Sequence, residues 1–120
     1  MKIAVTSSGQ ELASQVDPRF GRAKYFVVVD EETNEFTAHD NGQNLAAAQG
    51  AGIQAGQNVA ALGVGAVVTG NVGPKAFTTL SAAGVKIYIG ASGSVKDVIE
   101  QFRAGQLECV DQANVEGHWM

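Results

Sequence analysis

Two segments of this chain share a pattern that can hold an anion. Ala66-Val67-Val68-Thr69 runs into Gly70-Asn71-Val72-Gly73-Pro74, and twenty residues later Lys86-Ile87-Tyr88-Ile89 runs into Gly90-Ala91-Ser92-Gly93-Ser94. Each reads as a short apolar strand, a Gly-x-x-Gly turn and a helix start. A helix N-terminus carries backbone N–H groups without intrahelical partners and a partial positive charge, so it attracts anions. Two such junctions in consecutive units predict one backbone-lined site at one edge of a sheet. Gly70, Asn71, Gly73, Gly90, Ser92 and Gly93 would supply donors there, with Lys75 as an adjacent charge. A plainer reading stands beside it: glycines end strands and start turns because positive φ is needed, and Pro74 is an ordinary first helical residue.

Basic residues are unevenly placed. Arg19, Arg22 and Lys24 are three of the eight Lys and Arg residues and lie together in Pro18-Arg19-Phe20-Gly21-Arg22-Ala23-Lys24. Arg grips multi-oxygen anions with two parallel hydrogen bonds. Beside the glycine junctions these residues would complete an anion pocket on a chain whose formal net charge is −4. The alternative is a solvated loop whose arginines pair with Asp17, Asp30 or Glu31.

Soft metal ligands are scarce. His39, beside Asp40, is the first candidate and Cys109 the second. Against them stand a histidine serving only as a hydrogen-bonding group and a cysteine buried as a small hydrophobe. One cysteine excludes an intramolecular disulfide and a four-thiolate site within one chain. His118 lies with Trp119 and Met120 in a terminal stretch. No nucleophile is grouped with a base and an orienting acid, and no carboxylate pair stands out, so the chain is not expected to be an enzyme. Neither a Walker phosphate loop nor a Rossmann fingerprint occurs; Gly63-Val64-Gly65 precedes a strand, the wrong context.

Size and composition set the frame for these residues. A chain of 120 residues with 45% hydrophobic side chains predicts a single folded domain over residues 1–120, not a disordered segment. An acidic balance argues against a nucleic-acid binder. No stretch approaches the ~18 apolar residues of a membrane span, and no leader pattern precedes Thr6, so a cytoplasmic protein is the expectation.

The elements that must position the site follow from hydrophobic patterning. Lys2–Thr6 reads as a strand, 10–24 as a long loop interrupted by Pro18, and Tyr25–Val29 as a strongly β-prone strand. Across the polar turn Glu31-Glu32-Thr33-Asn34, Glu35–His39 completes an antiparallel hairpin. Leu45–Leu62 reads as a helix whose small-residue face, with Ile53, Gly56, Ala60 and Gly63, packs on the sheet. Phe77, Leu80 and Ala83 mark a second helix; Val95, Val98, Ile99 and Phe102 mark a third, opened by a capping box of Ser94 and Asp97. Residues 107–120 read as a flexible tail. The order β-β-β-α-β-α-β-α predicts a mixed five-stranded sheet with helices on its faces. Ligands of such sheets bind outside the carboxyl ends of the parallel strands.

Several blocks also carry a family likeness. Asp17 to Phe26 resembles the "FGRAxYF" signature of the nitrogenase iron–molybdenum-cofactor biosynthesis family, the NifX-like proteins. Gly50-Ala51-Gly52-Ile53-Gln54-Ala55 resembles its "GAGIQAA" element, and Thr69 to Phe77 its "TGNxGPNAF" junction. Ala83 to Tyr88 and Phe102 to Leu107 match its last two blocks. The resemblance covers nearly the whole chain and implies a three-layer α/β/α, ribonuclease-H-like fold without nuclease activity. It implies a non-enzymatic carrier of an anionic metal–sulfur cluster, molybdenum-containing with copper or iron, bound non-covalently. The small stand-alone orange-protein subgroup, with its molybdenum–copper sulfide cluster, is similar in length. Protein partners in cluster assembly or transfer, and a monomer or weak dimer, are expected; an adaptor without stable cluster binding is the rival. Many members have His directly before the Gly-Ala-Gly element, where this chain has Gln49, a poor replacement for imidazole as a metal ligand.

Overall fold

The computed structural model describes residues 1–41 and 51–110. Its strands are β1 (Lys2–Ser7), β2 (Tyr25–Asp30), β3 (Phe36–Asp40), β4 (Ala66–Val68), β5 (Lys86–Ile89) and β6 (Glu108–Val110). The helices among the described residues are α1 (Ala51–Ala61), α2 (Pro74–Ala82) and α3 (Val95–Arg103). Gln49, His118 and the start of the expected helix at Leu45 lie outside the described residues.

One sheet of six strands runs in the order β3-β2-β1-β4-β5-β6. β1, β4 and β5 are parallel neighbours at its centre. β2 is antiparallel to β3, as the polar turn predicted, and also to β1. The expected five strands are one too few. Glu108–Val110, assigned from sequence to the tail, pairs antiparallel with β5 through Cys109↔Tyr88 and Val110↔Ile87. Three residues are too short for alternation to be read; the open edge of β5 selects them.

Alternation along the central strands sends side chains into two cores. Ala4, Phe26, Val28, Val67 and Ile87 meet α1 and α2 on one face. Ile3, Val5, Val27, Val29 and Val68 meet α3 on the other. The stripe read on α3 is the buried one: Val95, Val98 and Ile99 are covered, and Phe102 stands edge-on to Tyr88 with centroids 5.0 Å apart. The face read on α1 is shifted. Ala55 and Val59 point into the core, while Ile53 is 37% exposed. Gly56 is buried not on the sheet but against α2, where an added Cβ would lie 3.0 Å from Thr79 Cγ2. Close helix–helix approach at Gly56 rotates the apolar stripe away from the predicted one.

Arg103, in the last turn of α3, fastens the β2–β3 turn. Its Nη2 donates to Glu31 O at 2.7 Å and to Asn34 Oδ1 at 2.6 Å. Asn34 itself holds a left-handed φ of 63°. Truncating Arg103 to Ala should lower stability by about 1 kcal/mol, since both bonds are exposed to water. A urea titration with an unchanged midpoint would remove the clamp from the account.

Candidate functional site

The carboxyl ends of β1, β4 and β5 lie side by side, and the 8–24 loop crosses them. The loop is sewn down by main-chain bonds. Ser8 N–H donates to Gln15 O at 2.9 Å, Asp17 N–H to Thr6 O at 3.0 Å, and Val16 N–H to Gly93 O at 2.9 Å. Asn71 N–H donates to Pro18 O at 2.8 Å, and the Asn71 amide Nδ2 reaches the same oxygen at 3.3 Å. Arg19 and Asn71 thereby form a parallel bridge. The basic loop and the first glycine junction, read separately from sequence, are brought together.

At this first junction the loop backbone fits against Gly70, where an added Cβ would lie 2.8 Å from Pro18 Cα. Gly73 caps α2 without a side-chain hydrogen bond, and Pro74 opens the helix. Lys75 is exposed in the first turn and lines, with Ile53, Pro74, Thr78 and Thr79, an open groove of about 300 Å³ beside α1. Arg19 and Lys24 are exposed and Arg22 is half-buried. Arg19 Nε lies 3.9 Å from Asp17 Oδ1, so part of its charge is balanced within the loop, as the alternative reading of the cluster held.

The second junction is built differently. Val95 N–H donates to Ser14 O and Lys96 N–H to Leu12 O, each at 2.9 Å. Asp97 N–H donates to Ser94 Oγ at 3.1 Å, and Asp97 Oδ2 accepts from Ser94 N–H at 3.2 Å. The first turn of α3 is thus occupied by the loop and by its own carboxylate, which repels a second anion. Gly90 N–H is spent on Gly70 O at 3.1 Å, so Gly90 is not the free donor expected from sequence. Gly90 and Gly93 hold φ of +83° and +98°, values that an L side chain resists. Ser92 and Gly93 are exposed, and their carbonyls accept from Gln101 Nε2 and Val16 N–H. The two junctions therefore do not form one symmetric cradle. The capping box, legible in the sequence, was the signal that the second would satisfy itself.

His39 and Cys109 stand apart. His39 is on edge strand β3, paired with Phe26, and its Nε2 lies 3.0 Å from Thr37 Oγ1. Cys109 is exposed on the opposite edge strand β6. With a strand spacing of ~4.8 Å, five steps of sheet separate them by roughly 24 Å. Their cross-strand partners, Phe26 and Tyr88, face opposite cores, so no small cluster can touch both. Burial, the charge of Cys109 and a hydrogen bond with Cys109 hold the Tyr88 phenol above its ordinary value. Among the described residues no three His, Cys, Asp or Glu side chains are grouped to hold a metal ion, and no helix is long and apolar enough to cross a membrane.

Chain and fold both have relatives. The structure superposes on the apo form of the orange protein from Desulfovibrio gigas with a TM-score of 0.93, at 43% identity, over 95% of this chain and 96% of that one. A Thermotoga protein of the DUF35 family, solved by NMR, gives 0.83 at 38% identity over 97% and 98%. An uncharacterized protein of Methanocaldococcus jannaschii is 31% identical over 90% of each chain. The family model described as dinitrogenase iron-molybdenum cofactor matches residues 1–105, and the chain belongs to that family.

Proposed function

We propose that this protein carries an anionic metal–sulfur cluster as cargo, without catalysing a reaction. The cluster contains molybdenum, with copper or iron, and is held non-covalently. The carrying observation is the bridge between Arg19 and Asn71, which sets the loop bearing Arg19, Arg22 and Lys24 on the first glycine junction. The cations of the loop, with Lys75 next to the Gly70, Asn71 and Gly73 junction, suit a metal–sulfide anion. The scattered placement of His39 and Cys109 favours binding by charge and hydrogen bonds over ligation from several side chains. Similarity to an orange protein that exists in an apo form supports a removable cargo. A ribonuclease-H-like fold belongs to the same reading and is supported by the parallel centre, the antiparallel β2 and helices on both faces. So do protein partners that deliver and accept the cluster in the cytoplasm.

The test is a visible absorption spectrum with metal and labile-sulfide analysis on protein purified anaerobically from its own source. Colour with molybdenum and sulfide is the expected result. Colourless protein that also stays colourless after incubation with tetrathiomolybdate and copper would turn the reading to an adaptor in cofactor assembly.

A further inference from the structure

The cationic loop is gripped from inside at both ends. At its start, Thr6 and Thr69 are fully buried at the carboxyl ends of β1 and β4. Thr6 Oγ1 lies 2.6 Å from Asp17 O and 2.9 Å from Thr69 Oγ1. A hydroxyl has one proton, so Thr6 donates to Asp17 O and accepts from Thr69. At its end, Asn41 is only 2% exposed. Its Nδ2 donates to Ala23 O at 2.8 Å and to Gly21 O at 3.3 Å, and its backbone N–H to Lys24 O at 2.9 Å. Between the grips Phe20 is fully buried, its ring 5.3 Å from that of Phe26.

The carbonyls of Asp17, Pro18, Gly21, Ala23 and Lys24 all accept from donors of the sheet ends and the first junction. Their partial negative charge is thereby engaged by donors of the fold, while Arg19 and Lys24 are exposed on the same loop. Buried polar groups used in this way cost stability unless every bond is made, and they fix one geometry when all are made.

We infer that Thr6 and Asn41 are positioning residues for cluster binding: they hold the cationic loop in its anion-facing shape without touching the cluster. This rests on the reading of residues 19–24 as the anion contact. Binding groups held in place beforehand lose less freedom on binding, so affinity depends on the grips as well as on charge.

The experiment compares wild type with Thr6→Val, Thr6→Ser and Asn41→Ala. Uptake of tetrathiomolybdate with copper is followed by visible absorption at several salt concentrations. Amide exchange of Phe20 to Lys24 is followed on cluster-free protein. Thr6→Val should bind about tenfold more weakly, the cost of ordering one more long side chain on binding, with the same salt dependence as wild type and faster exchange in the loop. Thr6→Ser should restore both. A Thr6→Val protein that melts earlier but binds and exchanges like wild type would overturn the inference. If Thr6→Val does not fold, Asn41→Ala is judged by the same two readouts. Should charge reversal at Arg22 and Lys24 leave uptake unchanged, the cluster reading falls, and the role in binding inferred for Thr6 and Asn41 falls with it; loop exchange then reports the grip alone.

Discussion

Gly70→Ala is expected to destabilise the protein by about 2 kcal/mol, the usual cost of forcing a methyl group into a packed space. The new Cβ would lie 2.8 Å from Pro18 Cα, 2.9 Å from Pro18 O and 3.0 Å from Pro18 Cβ. Two of those atoms are backbone, so no side chain can swing aside. The loop must lift, and the bonds from Asn71 to Pro18 O at 2.8 and 3.3 Å go with it. Cluster uptake should therefore fall together with stability. Gly90→Ala is the control. Gly90 has no atom within 4 Å of an added Cβ, and its cost comes from φ of +83°, about 1–2 kcal/mol of left-handed strain. That variant should leave the loop and uptake in place. Urea unfolding and absorption titrations on the pair decide the matter. A Gly70→Ala protein as stable as wild type would mean that the loop is not seated on the junction.

The pair also shows what a repeated motif hides. Gly-x-x-Gly occurs at both junctions for two unrelated physical reasons, space at Gly70 and backbone conformation at Gly90 and Gly93. Both look the same in sequence. The β-branched and aromatic run in β2, the ends of β5, the hairpin and the Val95-Val98-Ile99-Phe102 stripe were legible because each is a local pattern. The family was legible too, because its blocks are spread in order along the chain. The loop's share in closing α3 was not. Ser14 and Leu12 close its first turn with carbonyl oxygens, which every residue carries. The same holds for Asn41, whose importance lies in contacts about 20 residues away in the chain and leaves no spacing to read. β6 failed for a third reason: its partner edge, not its own three residues, makes it a strand.

Reversing two charges in the loop, with Arg22→Glu and Lys24→Glu together, should cut uptake of a tetrathiomolybdate–copper cluster by about a hundredfold at low salt. A unit charge about 4 Å from an anion contributes ~1 kcal/mol in water and ~4 kcal/mol near a protein surface, so tenfold for each reversed residue is a restrained figure. The deficit should shrink as salt rises, because exposed charges are screened over about 8 Å at physiological ionic strength. Arg19→Ala should matter less, since Arg19 already shares its charge with Asp17 at 3.9 Å. Lys86→Glu is the distance control: Lys86 is exposed at the opposite end of β5 and should leave uptake unchanged. The loop's grips use backbone carbonyls and Phe20, but Arg22 is half-buried and engaged within the fold, so Lys24→Glu alone, at an exposed head group, is the variant whose melting should move little. A loss of uptake without a loss of stability would tie binding to charge at this loop. Equal losses in the Lys86 variant would reduce the effect to net charge alone, and the junction would lose its claim to the cluster.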